Sequence, residues 1–252
     1  MTRERYDRQI HFSGIGPEGQ KRVQRGQVTI IGLGALGSNI ASLLARAGVG
    51  KLRLVDGDRV ELSNLQRQDL YDEADARASR LKVEAARDRL AAINSEVAVQ
   101  ICPVMLEPGN ARELIAGSDI VLDGTDNFQA RYTINRACLQ EGIPWVYGGV
   151  AASFGMTATI IPERSGCLRC LFGEEPGSAL TAQTSGIIGS IVRVIAALEV
   201  SEALKWLVGA DELLNRWLLM VDVWWNEFSR VDFGPVPDCP DCGGAAGGRG
   251  YR

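Results

Sequence analysis

Short apolar runs alternate with stretches of helical periodicity through the first 150 residues. Runs near 28–32, 51–56, 97–102, 119–123 and 144–148 have the length of buried strands, while segments near 37–48, 78–93, 110–116 and 128–141 return apolar side chains every three or four positions. This alternation predicts an α/β fold built on a doubly wound, mainly parallel sheet. Beyond Gly148 the texture changes. Met156 to Ile161 and Leu218 to Val223 read as antiparallel strands extending the same sheet. Residues 187–208, with Ile188, Ile191, Ile195 and Leu198 at helical spacing, predict a helix facing either the core or a second subunit. The glycine-rich tail, 243–252, predicts a mobile end.

The first strand runs into Gly32-Leu33-Gly34-Ala35-Leu36-Gly37. Glycines at 32 and 34 let the chain turn tightly and bring backbone N–H groups close to phosphate, and Gly37 lets the new helix pack against the strand. Asp56 ends the next apolar run, 19 residues beyond Gly37, where a carboxylate meets ribose hydroxyls. Together these predict a Rossmann-like nucleotide site, whose default occupant is a nicotinamide or flavin dinucleotide. The stretch Ser63-Asn64-Leu65-Gln66-Arg67-Gln68 argues against that default. A guanidinium just beyond the ribose carboxylate suits an enzyme that must hold departing pyrophosphate, a need hydride transfer does not have. Lys82, in an expected helix from Ala78 to Leu90, would add a second cation. Both charges also read as solvated surface groups.

A loop at the end of a central strand, Asp123-Gly124-Thr125-Asp126-Asn127, carries two carboxylates where ligands bind in doubly wound folds. Asp126 would hold Mg²⁺ against phosphates. Equally, Asp126 or Asn127 would serve as N-cap of the helix that follows.

Composition narrows the class. A chain of 252 residues with 46% apolar content is enough for one large α/β domain. A net charge of −4, with acids and bases interspersed, gives no attraction to nucleic acid or to anionic membranes. The N-terminal residues lack an apolar signal core, and the most apolar stretch, Ile187 to Val200, is interrupted by Arg193 and Glu199. The chain therefore reads as cytoplasmic.

Four of the six cysteines form two C-x-x-C pairs, Cys167/Cys170 and Cys239/Cys242. Four thiolates make a closed tetrahedral zinc site with a structural role. Disulfides are the alternative, disfavoured by a reducing compartment. A redox dithiol is disfavoured because neither pair stands at a strand-to-helix junction. Cys102 and Cys138 read as small core residues.

These motifs, preceded by Arg5-Tyr6-Asp7-Arg8-Gln9, occur in the order found in the ThiF/MoeB/HesA adenylyltransferases, relatives of the ubiquitin-activating enzymes, which the chain resembles over nearly its whole length. The resemblance implies a single adenylation domain, with an N-terminal arm and helix at 1–27, a nucleotide-binding half at 28–150, and a carrier-binding and zinc half at 151–242. It implies that ATP and the Gly-Gly carboxylate of a small ubiquitin-like sulfur carrier react to an acyl-adenylate and pyrophosphate, and that the protein is a homodimer. By motif, Gly32, Gly34 and Gly37 form the phosphate loop, Asp56 binds ribose, and Asn64, Arg67, Gln68 and Lys82 hold the triphosphate. Asp123, Asp126 and Asn127 complete the ATP site, with Mg²⁺ on Asp126, and Arg8 is an arginine finger lent by the other subunit. No general base is needed, since the attacking carboxylate is already the nucleophile, and the only histidine, His11, lies in the arm.

One departure stands out: Ala182 replaces a cysteine that several relatives use for a covalent bond to the carrier. This implies adenylylation without a thioester stage, with sulfur delivered by a separate sulfurtransferase. Two other classes stay open at this level, a nucleotide-dependent oxidoreductase and a non-catalytic carrier-binding scaffold. The residues name no particular carrier.

Overall fold

The computed structural model describes residues 4–174 and 185–244. Strands β1 (Gln27–Ile31), β2 (Lys51–Val55), β3 (Ala98–Cys102), β4 (Ile120–Asp123), β5 (Trp145–Ala151), β6 (Phe154–Ile160), β7 (Trp217–Asp222) and β8 (Glu227–Asp232) form one sheet in the order β3-β2-β1-β4-β5-β6-β7-β8. From β3 to β5 every pairing is parallel, and from β5 to β8 every pairing is antiparallel. The expected fold class holds.

Helices α1 (Asp7–Ile10), α2 (Gly16–Val23), α3 (Ala35–Ala47), α4 (Glu73–Arg77), α5 (Lys82–Ile93), α6 (Ala111–Ile115), α7 (Phe128–Glu141), α8 (Leu168–Phe172) and α9 (Gly189–Val208) surround this sheet. Residues of α3, α5 and α9 share one core layer, and residues of α6, α7 and α8 share the other. Coverage on both faces explains why β1 and β4 are apolar runs rather than alternating ones: Val28, Ile30, Ile31, Val121 and Leu122 are all buried. In α9, Ile191, Val192, Ile195 and Ala196 are completely buried against α3 and the sheet, so this helix contributes to the core, while Ile188 and Leu198 are partly buried.

After β1 the chain builds β2 and β3 on one side, then crosses back to place β4 on the other. At that reversal the two crossovers leave in opposite directions and open a crevice at the carboxyl ends of β1 and β4. The glycine loop and the 123–127 loop both emerge there.

Two expectations require correction. The helix expected from Ala78 begins instead at Lys82, because Leu81 bridges Arg59 as an extended residue and Ser79 has φ +47°. The N–H of Lys82 donates to Asp58 O at 2.9 Å, pinning the helix start to the loop after β2. Strand β8 was not anticipated, since every residue of Glu227–Asp232 is exposed and the segment carries no burial pattern. Its pairing with β7 alone defines it. Ala182 and most of the glycine-rich tail lie outside the described residues. Among the described residues, no helix is long and apolar enough to cross a membrane.

Candidate active site

At the crevice the structure forms a cleft of about 780 Å³. Gly32 has φ +85°, and a Cβ there would lie 2.7 Å from Gly124 O, so only glycine fits between the two loops. At Gly37 a Cβ would come within 1.8 Å of Gly32 O, which confirms its part in packing α3 onto β1 and removes it from the cleft surface. Gly34 differs. It lines the cleft, and the nearest atom to a Cβ there is 3.9 Å away, so its bareness keeps open space beside the N-terminus of α3. The helix presents unsatisfied N–H groups and a partial positive charge to that space, the setting for an anion.

Asp56 is held from both sides: Oδ2 accepts from the Leu33 N–H at 2.6 Å and Oδ1 from the Asp58 N–H at 2.7 Å. Burial raises its carboxyl above the ordinary range, with Lys82 acting against that shift. Asn64 ends a 3₁₀ turn, Leu62–Asn64, and its Oδ1 accepts from the Glu61 N–H at 3.1 Å. Arg67 donates through Nη1 to Ser63 O at 2.9 Å, while its buried Nε has no protein partner. Gln68 is buried with Oε1 likewise unpartnered. Lys82, at the first position of α5, pairs with Asp58 at 2.9 Å and is 9% exposed in its side chain. These five side chains line one wall, so Arg67 and Lys82 are cleft cations rather than solvated surface charges.

Across the cleft, the capping question divides cleanly. Asn127 is the N-cap of α7, accepting from the Ala130 N–H at 2.9 Å. Asp126 is exposed at the cleft, and its one protein bond is from Asn127 Nδ2 at 3.2 Å. Asp123 does not reach the cleft. It is completely buried, with Oδ2 on Arg131 Nε at 3.0 Å and Oδ1 accepting from both the N–H and the hydroxyl of Thr125. The expectation that Asp123 binds the nucleotide is therefore corrected: its oxygens are committed to shaping the loop that carries Asp126.

Two residues at the site were not foreseen. Asp58 orients Lys82, and Arg131 ties the walls together, its Nη2 donating to Thr125 O at 2.9 Å and to Gly148 O at 3.0 Å. Arg131 also lies over the rings of Phe128 and Tyr147, at 5.2 and 5.3 Å from their centroids. An arginine set among the apolar positions of 128–141 was the available signal.

Arg8 is elsewhere. It is 94% exposed in its side chain on α1, which is tied to the C-terminal end of α3 by the bond from Gln9 Nε2 to Ala47 O at 2.9 Å. The cleft is at the other end of that helix, 13 residues and about 20 Å away. His11 is also on this distant arm, beside Asp7 at 3.7 Å.

The four paired cysteines converge on the far side of α7. Their sulfurs all lie within 4.8 Å of one another, with separations of 3.8, 3.7 and 3.5 Å for Cys167/Cys170, Cys167/Cys239 and Cys170/Cys242. All are free thiols. The edge of a tetrahedron with zinc–sulfur bonds of about 2.3 Å is roughly 3.8 Å, so the donor set fits that ion. Asn135 of α7 braces the cluster: its Oδ1 accepts from the Leu168 N–H at 3.0 Å, and its Nδ2 donates to Asp241 at 3.2 Å. Asp241 in turn pairs with Arg169 at 3.1 Å. Cys138 is buried in the core, and Cys102 packs against its edge.

A model of the ThiF family matches residues 6–241. The chain is 42% identical over 241 residues to the sulfur carrier protein ThiS adenylyltransferase of Bacillus subtilis, covering 95% of this chain and 71% of that one. It is 37% identical to the molybdopterin-synthase adenylyltransferase of Escherichia coli K12, covering 95% and 96% respectively. The crystal structure of Escherichia coli MccB with MccA-N7isoASN has the same fold, with a TM-score of 0.85 at 22% identity, covering 96% of this chain and 75% of that one.

Proposed function

The chain belongs to the ThiF family, and from that premise we propose that it adenylylates the C-terminal Gly-Gly carboxylate of a small ubiquitin-like sulfur carrier. The carrier carboxylate attacks the α-phosphorus of ATP, the bond to the β-phosphate oxygen breaks, and acyl-adenylate and pyrophosphate result. The observation that carries this reading is the single wall on which Asn64, Arg67, Gln68 and Lys82 stand beside the bare Gly34 and the fixed Asp56. Asp56 accepts from ribose hydroxyls, the α3 N-terminus and Gly34 receive phosphate, and Arg67 and Lys82 take up the charge that develops on pyrophosphate. Asp126, a hard oxygen donor open to the cleft, would hold Mg²⁺, which neutralises phosphate charge when bound. Asn127 contributes by capping α7 behind it. In-line displacement by an existing carboxylate needs positioning and charge rather than a base, which suits a cleft without histidine among its described lining residues.

The carrier enters from the antiparallel side of the sheet. Phe154 and Met156 of β6 line the cleft, and Phe154 pairs with Asp222, so the turn after β7 lies at the same end of the sheet. There Trp224, Trp225 and Phe228 are 68–73% exposed, an apolar face suited to the body of a small protein. The position of Arg8, remote from its own cleft, supports a homodimer in which it serves the partner's site. The activity belongs in the cytoplasm, and a separate sulfurtransferase supplies the sulfur step. ATP–pyrophosphate exchange dependent on a Gly-Gly-ended protein tests the reading; carrier binding without exchange would reduce the chain to a scaffold.

The Cys₄ cluster holds structural zinc on the same proposal. Elemental analysis of protein purified without added metal should find about one zinc per chain. Cys170→Ser or Cys242→Ser should release it and lower the unfolding temperature, because metal-binding energy is folding energy in such a site. Stable, metal-free wild-type protein removes this assignment.

A further inference from the structure

Behind the cleft floor, three buried polar atoms lack hydrogen-bond partners within the protein: both carboxyl oxygens of Glu199 and Oγ1 of Thr157. Glu199, completely buried in the middle of α9, reaches the sheet at Gly148 of β5, where a Cβ would lie 2.1 Å from Oε1. Gly148 is the direct cross-strand partner of Thr157, and directly opposed residues of an antiparallel pair share a face. That face is the one α9 covers, since Thr159, two residues along β6, bonds Glu202 of the same helix at 2.9 Å. The Thr157 hydroxyl and the Glu199 carboxyl therefore lie on one face of the sheet, under the same helix, without bonding each other. On the opposite face of the sheet, Arg131 grips the same strand through Gly148 O. The next residues, Gly149, Val150 and Ala151, line the cleft.

Resting on the adenylyltransferase reading, we propose that Glu199 is a positioning residue that works as a neutral carboxylic acid, joined to Thr157 through one buried water, and fixes β5 where it lines the cleft. A carboxylate with two buried oxygens and no well-formed hydrogen bond is untenable, the Asp123 N–H being the one backbone donor that leans toward it, whereas the acid brings its own donor. A hydroxyl gives and accepts at once, so Thr157 matches both ends of that acid. The titratable groups that act on Glu199 do so from across the sheet: Asp123, Arg131 and Tyr147. Burial first, then Asp123, push the Glu199 carboxyl well above the usual range, with Arg131 opposing them. Tyr147 is itself pushed up to about 12 by burial and stays neutral.

The test compares Glu199→Gln with wild type across pH. An acid raised in the folded state is neutral in both states below its unfolded value, near 4.5. Above it the unfolded chain gains by ionising while the fold does not, so wild type loses stability as pH rises until Glu199 ionises in place. Glutamine supplies the same donor and acceptor without titrating. The melting temperature of Glu199→Gln should match wild type near pH 4 and exceed it by several degrees at pH 8, with exchange kcat within about twofold of wild type at neutral pH. Glu199→Ala should lower kcat several-fold at nearly unchanged KM for ATP, a loss the glutamine variant restores. A pH-independent difference, a less stable glutamine variant at pH 8, or full kcat in Glu199→Ala overturns the proposal. If wild type itself shows no carrier-dependent exchange, the adenylation reading fails, and the melting curves still decide the state of Glu199.

Discussion

Asp126→Ala and Arg67→Ala should each lower carrier-dependent ATP–pyrophosphate exchange by at least about a hundredfold. Neither residue holds the fold. Among the described residues, Asp126 is exposed with one bond to its neighbour, and the Arg67 side chain has one backbone bond and a buried Nε without a partner. The melting temperature of Asp126→Ala should stay within about 2 °C of wild type, as for surface changes in a domain of this size. Groups that act chiefly on the transition state lower turnover while leaving stability in place. Exchange at the wild-type rate in Asp126→Ala removes the magnesium assignment, and stability measured on the same sample separates a dead site from an unfolded one.

A mixture of Arg8→Ala and Asp126→Ala proteins, each inactive alone, should regain roughly a quarter of wild-type exchange. With free subunit exchange about half the dimers are mixed, and each mixed dimer of two-fold symmetry has one intact site, made of Arg8 from one chain and Asp126 from the other. The remoteness of Arg8 from its own cleft is what favours the partner's site. Its arm is fastened to the C-terminal end of α3, and the length of that helix separates it from the cleft of its own chain. No recovery, with subunit exchange verified by mass spectrometry, would show that Arg8 has no role in the partner's site.

The parallel half of the fold was legible because the central strands are buried on both faces: β4 is apolar from Ile120 to Leu122, β1 from Val28 onward is broken only by the buried Thr29, and β2 keeps Leu52, Leu54 and Val55 beside the half-buried Lys51 and Arg53. The glycine loop was legible because two close approaches, at Gly32 and Gly37, admit no Cβ. Strand β8 was not, since an exposed edge strand satisfies its backbone on one side and leaves no imprint on its side chains. Asp123 was misread for a related reason. The motif fixes which residues stand together, but not which way each carboxylate turns, and a buried arginine from one turn into α7 claimed this one. The setting of Glu199 was invisible because its neighbours, Gly148 and Thr157, are distant in sequence and meet only through sheet register.

Helix α7 begins at Asn127 beside the cleft and, two turns later, is braced through Asn135 by Leu168 and Asp241. Every described residue lining the cleft lies at or before Ile187, yet the prop behind its far wall is supplied more than fifty positions later. On the ribosome, the brace behind that wall is therefore completed only after the stretch from Cys239 to Cys242 has emerged. A chain stopped at residue 236 would keep every described cleft-lining group, so premature termination yields a polypeptide with the right side chains and an unbraced wall.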